Sequence, residues 1–79
     1  MENFHIGKLI QTVLKAQGRT VTWFAKNIHC DRTNVYKIFQ NSHIDSELLG
    51  RISNVLDHNF FQDMADYFEE TSRLGSASK

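Results

Sequence analysis

Apolar residues recur along this chain at helical spacing, in blocks separated by short polar breaks. Ile6, Leu9, Ile10, Val13 and Leu14 follow i, i+3, i+4, i+7, i+8, the stripe of a helix expected from about His5 to Gln17. Lys8, Gln11, Thr12 and Lys15 fall on its other side, and Gly18 ends it as a left-handed residue. Phe24, Ala25 and Ile28 predict a second helix, starting after Thr20, whose hydroxyl can cap free amides, and reaching about Ile28. Val35, Ile38 and Phe39 predict a third, from an acidic cap at Asp31 to about Gln40. Leu48, Leu49, Ile52, Val55 and Leu56 mark a fourth, capped by Asp45 or Ser46. Phe60, Phe61, Met64, Tyr67 and Phe68 mark a fifth, capped by Asn59 and running to about Glu70. Strand signals are absent, and connections of two to five residues between the blocks predict an all-α five-helix bundle. Its expected core is Leu9, Val13, Phe24, Ala25, Ile28, Val35, Ile38, Leu48, Ile52, Val55 and Phe60.

Composition narrows the class further. Seventy-nine residues support one domain, expected over 1–70, with the small polar stretch 71–79 as a flexible tail. No apolar run approaches the roughly 18 residues that span a bilayer, and MENFHIGK lacks a basic-then-apolar leader. The single cysteine, Cys30, excludes an internal disulfide and suits a reducing cytoplasm, the expected location.

Nine basic and nine acidic residues cancel, but their distribution does not. Lys8, Lys15, Arg19, Lys26, Arg32 and Lys37 stand against the single acid Asp31 between Lys8 and His43. From Ile52 onward the balance reverses, with Asp57, Asp63, Asp66, Glu69 and Glu70 against Arg73 and Lys79. Such polarity lets one half of a neutral chain face phosphate.

The basic half also holds the most informative spacing. His29-Cys30-Asp31 is too short for a loop between the second and third apolar blocks, but it suffices for a tight turn. Two short helices braced across such a turn are the layout of a helix-turn-helix, over about 21–40, whose second helix can enter a DNA groove. Ala25 fits, since a larger side chain would push crossing helices apart. The helix order, the Thr20 cap, the Phe24-Ala25 pair, Ile28, Val35, Ile38 and the stretch from Leu48 to Leu56 resemble the Xre/Cro/C1 family of phage and bacterial repressors. The resemblance covers roughly residues 6 to 68. It departs at His29, where the family usually has Gly at a turn that requires positive φ.

The resemblance implies a λ-repressor-like DNA-binding domain that reads the major groove with its third helix. Val35, Ile38 and Phe39 would turn inward and leave Arg32, Thr33, Tyr36, Lys37 and Gln40 outward. Arg32, Thr33, Tyr36 and Lys37 are the expected base-contacting residues. An arginine guanidinium can bridge O6 and N7 of guanine for roughly 1–3 kcal/mol of discrimination. Thr20 and Thr22 at the start of the second helix, and Gln40, Asn41 and His43 after the third, are the expected backbone contacts. Asp31 is expected to cap rather than read bases. Homodimerisation is expected through Phe61, Met64 and Phe68, because the fifth block surrounds more of a helix than one buried stripe requires.

Other chemistry finds little footing. Cys30 occupies a small apolar position, and His5, His29, His43 and His58 stand singly without metal-ligand spacing. Carboxylates are not paired in an apolar setting, and Gly-rich phosphate loops are missing. No enzymatic activity, metal or cofactor is expected. Gly50, inside the fourth helix, reads as a close-packing position. Trp23 can cover the core edge, rest against DNA or meet a partner. Three binding roles suit this pattern: a DNA-binding transcriptional repressor, an antitoxin-like module of the same fold, and a protein-interaction helical module.

Overall fold

Each helix begins where a side-chain acceptor meets a free amide. The computed structural model describes residues 4–76, with side chains through residue 70. Among the described residues it contains α1 (Ile6–Ala16), α2 (Val21–Asn27), α3 (Arg32–Gln40), α4 (Ser46–Leu56) and α5 (Phe60–Ser76), and no strand. The protein is all-α. His5 Nδ1 accepts from the Lys8 amide at 3.1 Å and Thr20 Oγ1 from the Trp23 amide at 3.0 Å. Asp31 and Asp45 each accept through Oδ1 at 2.8 Å, from Asn34 and Leu48, and Asn59 accepts from Gln62 at 3.1 Å. A cap of this kind contributes about 1 kcal/mol.

Three helices also end alike. Beyond α1 the amides of Arg19 and Gly18 donate to Leu14 and Lys15, beyond α2 those of Cys30 and His29 to Ala25 and Lys26, and beyond α4 those of His58 and Asp57 to Ser53 and Asn54. This nested pair of bonds needs a left-handed residue just past the helix. Gly18 (φ 70°), His29 (φ 60°) and Asp57 (φ 50°) fill that place. The expected backbone at Gly18 and His29 is therefore present, and Asp57 adds a third instance.

The buried centre differs in detail from expectation. Phe24, Ala25, Ile28, Val35, Ile38, Ile52 and Phe60 are buried as expected, but Leu9, Val13, Leu48 and Val55 are half-buried at its edge. Ile6, Ile10 and Leu14 from α1, Phe39 from α3, and Leu49 and Leu56 from α4 take the deeper positions. A five-residue stripe covers a wider arc than one helix contact. Packing of α1 and α2 on α3, and of α4 on α5, chooses which part of the arc is central. The Gln17 side-chain Nε2 donates to the Leu56 carbonyl and joins the end of α1 to the end of α4.

Two glycines exchange roles. A Cβ on Gly7 would lie 2.3, 2.5 and 2.6 Å from the carbonyl oxygens of Ile38, Phe39 and Asn41, and the Gly7 amide donates to Asn41 O at 3.0 Å. The start of α1 therefore rests directly on the end of α3. A Cβ on Gly50 would meet nothing closer than Phe61 Cε2, at 4.0 Å, so Gly50 is not the close-packing position the sequence suggests. Helix α5 also runs beyond Glu70 to Ser76, through residues expected in the tail. Backbone bonding can extend a helix past the end of its apolar stripe. Residues 77–79 of that tail lie outside the described residues.

Candidate nucleic-acid interface

Helix α3 is held from one side only. Val35, Ile38 and Phe39 are buried, and the Phe39 ring stacks on Phe24 of α2 with centroids 6.3 Å apart and planes 8° apart. At α3's start Asp31 is spent on its cap, and at its end the Asn41 amide donates to Ile38 O at 3.1 Å. The opposite face is open: Arg32, Thr33, Tyr36, Lys37 and Gln40 are all exposed. Thr33, Tyr36, Lys37 and Gln40 stand at i, i+3, i+4 and i+7 and share one stripe, with Arg32 one turn before Tyr36. Tyr36 is the least free of them, since its ring meets Phe39 edge-on at 6.1 Å.

Electrostatically the two halves of the bundle differ in how their charges are used. Lys8, Lys15, Lys26, Arg32 and Lys37 form no salt bridge among the described residues. On α5, Asp63 meets His58 and Asp66 accepts from the Gln62 amide group at 2.9 Å. The cations of the basic half are thus left to whatever approaches from outside.

The expected backbone contacts separate into groups. Thr20 and Thr22 are exposed at the start of α2, where the Thr20 oxygen already serves as cap and its hydroxyl proton remains free to donate. Gln40 and Asn41 are exposed at the end of α3, although the Asn41 backbone is occupied by Gly7 and Ile38. His43 stands elsewhere, on a cavity of about 420 Å³ that it shares with Phe4, Ile44, Met64, Tyr67 and Phe68. The structure therefore joins His43 to α5 rather than to the α3 stripe. Of the three residues expected to dimerise, Phe61 (41%) and Phe68 (57%) are exposed and Met64 is half-buried. Phe60 is fully buried, so α5 closes the core with one ring and presents others to solvent.

No family model, curated protein or solved structure matches the chain.

Two features of this surface are not apparent in the sequence. The Arg19 guanidinium lies over the Trp23 ring, 4.3 Å from its centroid, beside the Thr20 cap. Their i, i+4 spacing was a usable signal, but it crosses the start of α2. A crevice of about 430 Å³ also runs between α1 and α3, lined by His5, Lys8, Gln11, Tyr36, Phe39 and Gln40. In sequence Lys8 and Gln11 are only a polar face of α1; the packing of α1 on α3 brings them beside the exposed stripe. Among the described residues no group of three or more His, Cys, Asp or Glu is placed to hold a metal ion. Nor is any helix long and apolar enough to cross a membrane.

Proposed function

We propose that this chain is a sequence-specific DNA-binding transcriptional regulator, a repressor of the λ-repressor-like helix-turn-helix type, reading the major groove with α3. The observation that carries this reading is the one-sided anchoring of α3. Three apolar residues fix it on α2 and the core, while Arg32, Thr33, Tyr36, Lys37 and Gln40 remain exposed and the adjacent acid, Asp31, is engaged as the helix cap. The left-handed His29 in a three-residue turn supports the same arrangement. Arg32 is assigned to a base edge, and Thr20, Thr22, Gln40 and Asn41 to the sugar-phosphate backbone.

One such helix touches few base pairs, so specific affinity calls for two copies on half-sites about 34 Å apart. Exposed Phe61 and Phe68 on the acidic helix α5 support a homodimer built away from the DNA. The same rings favour a second reading, an antitoxin-like module that holds a different protein on α5.

The deciding experiment is selection of bound duplex from a random pool, followed by titration of Arg32→Ala on the selected and on random duplex. The specific complex should weaken by about 1–3 kcal/mol, with random duplex affected far less. An unchanged ratio between the two would remove Arg32 from base reading, and a pool that yields no enriched sequence would remove the function.

A further inference from the structure

The crevice between α1 and α3 gathers hydrogen-bond donors from two helices and contains no carboxylate. Lys8 and Gln11 come from α1, Tyr36 and Gln40 from α3, and Phe39 lies between them. Lys8 has no salt-bridge partner among the described residues. His5 completes the set in a particular tautomer. Its Nδ1 accepts the Lys8 amide, so the ring proton sits on Nε2 and that nitrogen is a donor. Asp31, the only acid between Lys8 and His43, lies at the far end of α3, two and a half turns from Gln40, and is used as a cap.

An anion beside the end of a helix would ordinarily meet exposed carbonyls. Here the end of α3 is covered by the start of α1. Asn41 O accepts the Gly7 amide, and Ile38 O and Phe39 O lie where a Gly7 Cβ would come within 2.3 and 2.5 Å. The amide end of α1 thus faces the carbonyl end of α3 and offsets its negative partial charge. What remains at the crevice is a set of donors and one unpaired cation, next to the stripe assigned to the groove.

We propose that this crevice seats one phosphate of the DNA backbone, with Lys8 and Gln11 as its principal contacts. The inference rests on the DNA-binding reading above and extends it to α1, which then lies along the strand beside the groove that α3 enters. A phosphate seat carries no sequence information; it fixes the depth and register of α3.

Fluorescence anisotropy of labelled duplexes over a salt series tests this with three variants: Lys8→Ala, Gln11→Ala, and Arg51→Ala as an exposed cation on α4. Lys8→Ala should weaken selected and random duplex by the same factor and make the slope of log K against log salt shallower by about 0.9. Gln11→Ala should lower affinity about two- to ten-fold on both duplexes with the slope unchanged, because it removes a donor but no charge. Arg51→Ala should do neither. Equal effects of Lys8→Ala and Arg51→Ala, or an inert Gln11→Ala, would reduce the crevice to part of a general field and overturn the seat. Wild-type binding that survives Lys8→Ala unaltered overturns the crevice alone, whereas a wild type that binds no duplex at low salt overturns the DNA reading and the crevice with it. Melting curves of all three variants check that the fold persists, since the cap bond involving Lys8 uses only its backbone.

Discussion

Helices α1 to α3 and helices α4 to α5 solve the same packing problem differently. In the first region a backbone rests on a backbone: Gly7 lies on the last carbonyls of α3, and Phe24 stacks on Phe39 behind the exposed stripe. In the second, contact is made by side chains: Phe61 comes to 4.0 Å from the position of a Gly50 Cβ, and Phe60 alone of the α5 rings is fully buried. Charge differs as well: Lys8, Lys15, Lys26, Arg32 and Lys37 of the first region form no salt bridge among the described residues, whereas Asp63 and Asp66 on α5 are met by His58 and Gln62. A surface that must present a helix to a rigid partner needs fixed backbone geometry. One that meets another protein can leave rings free to repack.

Substituting the two glycines breaks this comparison most directly. Gly7→Ala puts a methyl group inside contact distance of three backbone oxygens that cannot rotate away. It should cost about 3 kcal/mol, the upper part of the overpacking range, and a large share of the stability of so small a domain. Chemical denaturation reads this directly, and a midpoint unchanged from wild type would show that α1 does not sit on α3 as described. Gly50→Ala should act in the opposite direction. It adds a methyl group that meets only the Phe61 ring, at ordinary contact distance, and should stabilise by up to about 1 kcal/mol, or roughly 4–8 °C in melting temperature. Destabilisation at Gly50 would mean that α4 and α5 approach more closely than they do here.

A smaller effect sharpens the contrast between the turns. His29 holds φ 60° and Asp57 holds φ 50° in equivalent places after α2 and α4. His29→Gly should raise stability by about 1 kcal/mol, since glycine takes the left-handed region without steric cost. Asp57→Gly should gain less, because short polar side chains visit that region more readily. Parallel melting curves compare them, and a loss of stability in His29→Gly would argue that the histidine makes a compensating contact.

A modest change in folding stability is expected where assembly should change most. Phe61→Ser with Phe68→Ser removes two partly exposed rings, one beside Gly50 and one beside Phe4 and Tyr67, and should cost the monomer about 1 kcal/mol. Sedimentation at micromolar concentration should then show a wild-type dimer and a monomeric variant. A wild type that stays monomeric both free and on a selected duplex removes the homodimer.

Local physics was legible in the residues themselves. Caps at Thr20, Asp31, Asp45 and Asn59 were readable because each bond closes within three residues. The tight turn at His29-Cys30-Asp31 followed from the short distance between two apolar blocks, its left-handed residue from the family resemblance, and the outward face of α3 from the spacing of Val35, Ile38 and Phe39. These are properties of one helix or one turn, and nothing distant can alter which residues share a face. What needed the tertiary structure is all that depends on two helices at once. Nothing in the sequence distinguished Gly7 from Gly50, because a close approach is defined by the neighbour and not by the glycine. Leu9 and Val13 gave way to Ile6, Ile10 and Leu14 for the same reason: a stripe states which side is apolar, and only the partner helix states which part of it is central. The crevice of Lys8, Gln11, Tyr36 and Gln40 is likewise a product of α1 lying on α3, assembled from residues some thirty positions apart that carry no local sign of each other.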